Sequence, residues 1–256
     1  MPLLPPEVFN AADYLVHRRV TTGDGERVAL IHPGGQLSYA QLGERVVGVA
    51  AGLAELGVHA EERVMFFAAD CPELVAGLLG TMYLGAVAVP VSTMLTAADL
   101  AGLLADSRAR VLVTSVDFAD TASAAVARIA GPGVELTHVV TIGVAAHGFA
   151  VPAVGWDELV NEGTCFPLYP SWADSPALWL YTSGTTDSPK AAMHRHSSIR
   201  FVCETYGQQV LDIRHDDRCY SVAKLFFAYG SATQCSSRSR LARARCWNRA
   251  DQAPAW

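Results

Sequence analysis

From Leu74 to Ala98 the chain carries no charged side chain. A run of that length can cross a bilayer, so it forces a choice between a membrane span and the interior of a large fold. Gly77, Gly80, Gly85 and Pro90 interrupt it and divide it into a helix, Pro72 to about Leu84, and a β-branched strand, Val87 to Val91. Asp70 and Glu73 read as a capping-box pair with Pro72 near the first helical position, as a water-soluble helix would have. An apolar helix feeding an apolar strand belongs inside an α/β protein.

The flanking sequence keeps that rhythm. A short helix after Asn10, a strand Val28 to His32, a Pro33-Gly34-Gly35 turn and a long helix Tyr39 to Leu56 come first, the helix capped by Ser38 and Gln41 and stopped by Gly57. A strand Val64 to Ala68 precedes the charge-free run. A helix from Thr96 to near Ser107, a strand Arg110 to Thr114, a helix Thr121 to Ile129, a strand Glu135 to Ile142 and a short helix Trp156 to Val160 follow it. Strands and helices taking turns predict an α/β fold, a mostly parallel sheet flanked by helices. Residues 8–165 read as a first α/β subdomain and 166–230 as the start of a second, with a strand Leu178 to Thr182, a short strand carrying Met193, a helix Ser197 to Leu211 and a strand Arg218 to Leu225.

With 51% apolar residues and a formal net charge of -6, the chain has the makings of a soluble globular protein and no electrostatic footprint for nucleic acid in its body. Its cysteines, Cys71, Cys165, Cys203, Cys219, Cys235 and Cys246, form no C-x-x-C and sit at no metal-ligand spacing with a histidine, so they read as reduced thiols. The start, Met1-Pro-Leu-Leu-Pro-Pro-Glu, lacks a signal peptide's basic and apolar regions. A cytoplasmic location and no membrane partner are expected; oligomeric state is not legible.

Residues 231–256 change character, with Arg238, Arg240, Arg243, Arg245 and Arg249 and no apolar periodicity. A basic tail for nucleic acid is one reading. Out-of-frame translation of a GC-rich gene is the favoured one, because the body uses only two lysines, Lys190 and Lys224.

The stretch Tyr181-Thr182-Ser183-Gly184-Thr185-Thr186-Asp187-Ser188-Pro189-Lys190 follows a strand and packs hydroxyls, a glycine and a lysine together. Backbone N–H groups near Gly184 can approach phosphate oxygens, hydroxyls add donors and Lys190 supplies a cation. A Walker A loop is excluded, since Pro189-Lys190-Ala191 lacks its second glycine and its Mg²⁺-binding hydroxyl. An ordinary Ser/Thr-rich surface turn is compatible with composition alone.

The string resembles the Y-T-S-G-T-T-G-x-P-K-G phosphate loop of adenylate-forming enzymes (acyl-CoA synthetases, luciferases and nonribosomal adenylation domains), departing at Asp187 and Ala191, where that family usually has glycine. Met193-His194-Arg195-His196 follows as in that family. Three further strings narrow the resemblance to the benzoate-CoA ligase group: Phe9-Asn10-Ala11-Ala12, Gly85 to Thr93, and Ala223-Lys224-Leu225-Phe226-Phe227-Ala228-Tyr229-Gly230.

The resemblance implies the N-terminal part of the adenylate-forming fold and an ATP-dependent ligation of an aromatic carboxylate to coenzyme A through an acyl-adenylate, with Mg²⁺ accompanying ATP. Thr182, Ser183, Thr185, Thr186 and Lys190 would hold the β- and γ-phosphates, with Gly184 allowing close approach. Phe227 would take an aromatic-gate position, and Ala228, Tyr229 and Gly230 would line the aryl site. The family's catalytic groups, in a Tyr-Gly-x-Thr-Glu segment, an Asp, an Arg and a late lysine, have no counterpart after Gly230. The expectation is therefore a truncated, inactive half with poor solubility; a noncatalytic fragment with weak nucleotide binding is the alternative.

Overall fold

The computed structural model describes residues 7–131, 134–143, 148–160, 163–182, 189–214, 217–219 and 223–227, and the backbone of 243 and 244. Its centre is a sheet in the order β7-β6-β5-β3-β4-β8-β9. The strands are β3 (Arg63–Phe67), β4 (Val87–Pro90), β5 (Val111–Ser115), β6 (His138–Ile142), β7 (Ala153–Gly155), β8 (Pro176–Thr182) and β9 (Lys190–Arg195). All neighbours run parallel except the β8–β9 hairpin at one edge. A smaller sheet pairs β1 (Val28–His32) with β2 (Gly35–Ser38) antiparallel, and the two-residue β10 (Arg243–Ala244) lies parallel on β1.

The central strands are apolar on both faces because both faces are covered. Val64, Phe66, Ala88, Val111, Val113 and Val140 join the core under α1 (Tyr39–Glu55) and α2 (Pro72–Tyr83). The alternating Met65, Phe67, Val87, Val89 and Leu112 join the core under α3 (Ala97–Ser107) and α4 (Ala119–Ile129). Period-two alternation that is apolar on both sides marks a strand with a helix layer on either side. The charge-free run thus divides into α2 and β4, and no helix of the described residues is long and apolar enough to cross a membrane.

Local signals placed most element starts. Ser38 accepts the Gln41 N–H while the Gln41 side chain accepts from Ser38, and Gly57 leaves α1 at φ +80°. Thr96 and Asp99 make the same reciprocal cap for α3. The expected Asp70–Glu73 capping box is not there: α2 is capped by Cys71, whose Sγ accepts the Leu74 N–H at 3.4 Å. Two short strands, β2 and β7, were not expected. The expected strand Arg218 to Leu225 is also absent among the described residues of that stretch; Lys224 to Phe227 form a turn closed by a Phe227 N–H to Lys224 carbonyl bond of 3.1 Å. After the one-turn α5 (Trp156–Leu159), the helix expected to run from Ser197 to Leu211 is α6 (His196–Val202) continued by a π-helical segment, Cys203–Val210.

α1 and α2 approach so closely that the small residues between them set the distance. A Cβ on Gly80 would lie 2.6 Å from Val49 Cβ and 3.0 Å from the Val46 carbonyl oxygen. Gly80→Ala should therefore cost about 1–3 kcal/mol through overpacking, seen as a lower urea midpoint with an unchanged slope; an unchanged midpoint would show that the helices separate freely.

Candidate nucleotide and acid site

The phosphate-loop candidate is the connection of the β8–β9 hairpin. Thr182 and Lys190 form its last cross-strand pair, preceded by Tyr181 opposite Ala191 and Leu180 opposite Ala192. The Thr182 hydroxyl donates to the Lys190 carbonyl oxygen at 3.5 Å, and the Lys190 side chain is exposed. Ser183, Gly184, Thr185 and Thr186 lie outside the described residues, as does Asp187. The hairpin brings the two described phosphate-binding candidates together across the mouth of the loop.

Behind the mouth, β8 is fastened to α3. The Tyr181 hydroxyl donates to Asp106 Oδ2 at 2.6 Å, and burial, reinforced by that carboxylate, pushes the phenol above its usual range. Arg63 donates to the carbonyls of Ser107 (2.7 Å) and Arg108 (3.0 Å), where α3 ends in a left-handed residue at φ 50°, and its guanidinium lies 5.8 Å from the Trp179 ring centre. These two contacts fix the outer face of β8 immediately before the loop.

The acid-pocket candidate stands on the 224–227 turn. Leu225 and Phe226 are buried, Phe227 is 52% exposed, and the two phenyl rings lie 4.5 Å apart at 47°. Leu225 N–H donates to Asp70 Oδ1 at 3.0 Å. Ala228, Tyr229 and Gly230 lie outside the described residues.

The Phe9-Asn10-Ala11-Ala12 string is a fastener. The buried Asn10 amide donates to the Met82 carbonyl (2.8 Å), the Tyr169 carbonyl (3.3 Å) and Ser171 Oγ (3.3 Å), while its Oδ1 accepts the Ala12 N–H. Ala11 N–H donates to Nδ1 of His196, the fully buried first residue of α6. The accepting Nδ1 must be unprotonated, and burial holds this imidazole down to about 4. Sequence reasoning missed Asp70, Asp106 and His196 as positioning groups; each acts on a residue far away along the chain, so no local spacing marks it.

The helix-covered parallel sheet, with Thr182 and Lys190 paired on either side of a Ser/Thr/Gly-containing connection, defines an α/β protein. The comparisons specify which kind. The model of the family "AMP-binding enzyme" matches residues 17–249, and the chain belongs to that family. It is 37% identical over 235 residues to a 4-hydroxybenzoate-CoA/benzoate-CoA ligase of Rhodopseudomonas palustris, covering 89% of this chain and 41% of the relative. A benzoate-CoA ligase of Thauera aromatica is 34% identical, with 88% and 41% covered. Among solved structures, an anthranilate CoA ligase in complex with anthranoyl-AMP superposes with a TM-score of 0.83 at 28% identity, over 94% of this chain and 45% of that one. A benzoate CoA ligase from Burkholderia xenovorans gives 0.76 at 28% identity. The chain spans about two fifths of the length of the curated relatives it matches.

Because His196 titrates far below an unfolded histidine, near 6.5, its contribution is fully present above pH 6.5 and is lost as pH falls towards 4, by about 3 kcal/mol. Burial also lowers His17 and His194, so the diagnostic quantity is the difference from His196→Asn, whose side-chain oxygen can still accept the Ala11 N–H. Urea unfolding at pH 7 and 4.5 should show a smaller acid loss in the variant; parallel losses would refute the assignment.

Proposed function

We propose that this chain is the nucleotide-holding portion of an ATP-dependent aryl-carboxylate CoA ligase. In the reaction, the carboxylate of a benzoate-type acid attacks the α-phosphate of ATP and releases pyrophosphate. The thiol of coenzyme A then attacks the acyl-adenylate, forming the thioester and releasing AMP. Such catalysis is largely positioning and charge stabilisation.

The observation that carries the reading is the exposed Lys190 facing Thr182 at the mouth of a Ser/Thr/Gly loop in a chain of the AMP-binding family. Lys190 supplies a cation to the β- and γ-phosphates, Thr182, Ser183, Thr185 and Thr186 supply neutral donors, and Gly184 leaves room for close approach. Phe227 gates an acid pocket lined by Ala228, Tyr229 and Gly230. An aromatic substrate is supported by the relatives' names, which specify benzoate and hydroxybenzoates. No group of three or more His, Cys, Asp or Glu side chains able to hold a metal converges among the described residues. Mg²⁺ would accompany ATP as the counter-ion of its phosphates.

In the same reading, residues 8–165 and 166–230 belong to successive subdomains of the longer enzyme, and the chain by itself performs no ligation. Acyl-CoA formed from benzoate, ATP and coenzyme A by the purified chain would overturn that part.

Asp187 puts a carboxylate where a polyphosphate is to bind. In calorimetric titrations with ATP and Mg²⁺, Lys190→Ala should weaken binding about tenfold, the factor of one charge-assisted hydrogen bond, and Asp187→Gly should tighten it. Equal affinity for all three chains would remove the loop from the nucleotide site.

A further inference from the structure

Asp70 stands just beyond β3, 1% exposed. From β3 the chain crosses to β4 on one side through α2, and from β4 back to β5 on the other side of β3 through α3. α2 packs in one core and α3 in the other. The carboxyl ends of β3 and β5 therefore flank the point where the winding of the sheet reverses, the place where ligands bind in open α/β sheets. Ala69 N–H donates to Ser115 Oγ across that point at 3.1 Å.

Cys71 caps α2, so the Asp70 carboxylate is not spent on the helix start. It reaches instead to a segment far away in the chain, accepting the Leu225 N–H at 3.0 Å. That bond sits at the root of a turn whose next residues are the buried Phe226 and the half-exposed Phe227. A buried carboxylate holding a backbone amide makes a directional link, and Phe226 and Phe227 are the next two residues of the chain.

We propose that Asp70 is a positioning residue for the acid pocket: its buried carboxylate holds the Leu225 amide and fixes where Phe227 stands at the mouth. The inference rests on reading Phe227 to Gly230 as the aryl site.

The test combines hydrogen exchange with ligand binding in the chain as it exists. Asp70→Ala removes the acceptor. Leu225→Pro removes the donor, together with a buried leucine side chain, and leaves Asp70 in place. Asp70→Asn keeps an oxygen that can accept. Exchange in the 223–227 peptide should rise about tenfold or more in the first two variants and stay near the parent value in the third, with the 63–67 peptide of β3 unchanged as the folding control. Benzoate affinity, read by saturation-transfer NMR against butyrate as the aliphatic comparison, should fall in the same two variants and be retained in Asp70→Asn. Unchanged exchange at 223–227 in both disrupting variants, or an opened turn with undiminished benzoate affinity, overturns the proposal. A parent chain that does not prefer benzoate to butyrate sinks the aryl-acid reading alone, because the exchange comparison still decides whether Asp70 sets the turn.

Discussion

The arrangement depends on the complete burial of β4. All four of its residues are buried, with Val87 and Val89 facing one core and Ala88 the other. One neighbour is β3; the other is β8, paired through Ala88 and Leu178. The hairpin that carries the candidate phosphate loop is therefore attached through β8 to a strand buried along its whole length. A one-residue slip would carry Val87 and Val89 into the core that now holds Ala88, so the difference in side-chain size fixes the register. Loops borne on such a frame gain precision from it, which is how an α/β scaffold separates stability from chemistry.

Polar fasteners complete what apolar packing starts. Asn10, Arg63, Asp70 and His196 each join elements distant in sequence, and each meets backbone groups: the Met82 and Tyr169 carbonyls, the last carbonyls of α3, the Leu225 amide and the Ala11 amide. Such groups leave their partners with unmet hydrogen-bonding capacity when removed, a cost of about 1–3 kcal/mol each. They also specify geometry, because a hydrogen bond has a direction that hydrophobic contact lacks. The two candidate sites use this separately: Tyr181 and Trp179 tie the phosphate hairpin to α3 and Arg63, while Asp70 ties the acid-site turn to the end of β3.

Most of the sheet was legible because its strands are short apolar runs and its helices begin at recognisable caps. Val28–His32 and the starts of α1 and α3 fall where spacing and capping put them, and α2 begins at Pro72 as expected although its cap differs. Two of the misses share one cause, tertiary contacts that outweigh a local signal. Asp70 and Glu73 have capping-box spacing, yet Cys71 wins the cap and Asp70 is drawn to Leu225, a choice made by tertiary structure. The sequence of residues 218–225 predicts a strand, yet Lys224 to Phe227 form a turn held at Leu225 by Asp70, with Leu225 and Phe226 buried. β2 and β7 are too short to carry a period. For the phosphate loop, the residue types were legible and Thr182 and Lys190 prove to be paired, while Ser183 to Thr186 lie outside the described residues.

The secondary structure around the loop also bears on its chemistry. In a Walker-type loop a helix follows, and the helix N-terminus adds positive potential and converging N–H groups. Here the element after the loop is a strand, β9, running antiparallel to β8, so that contribution is missing. A phosphate held by such a hairpin must draw on the amides of the loop, its hydroxyls and the charge of Lys190. With fewer positive sources, a single carboxylate counts for more. On the proposed reading of the loop, Asp187, close to Lys190 in sequence, is therefore the residue whose charge bears most directly on nucleotide affinity.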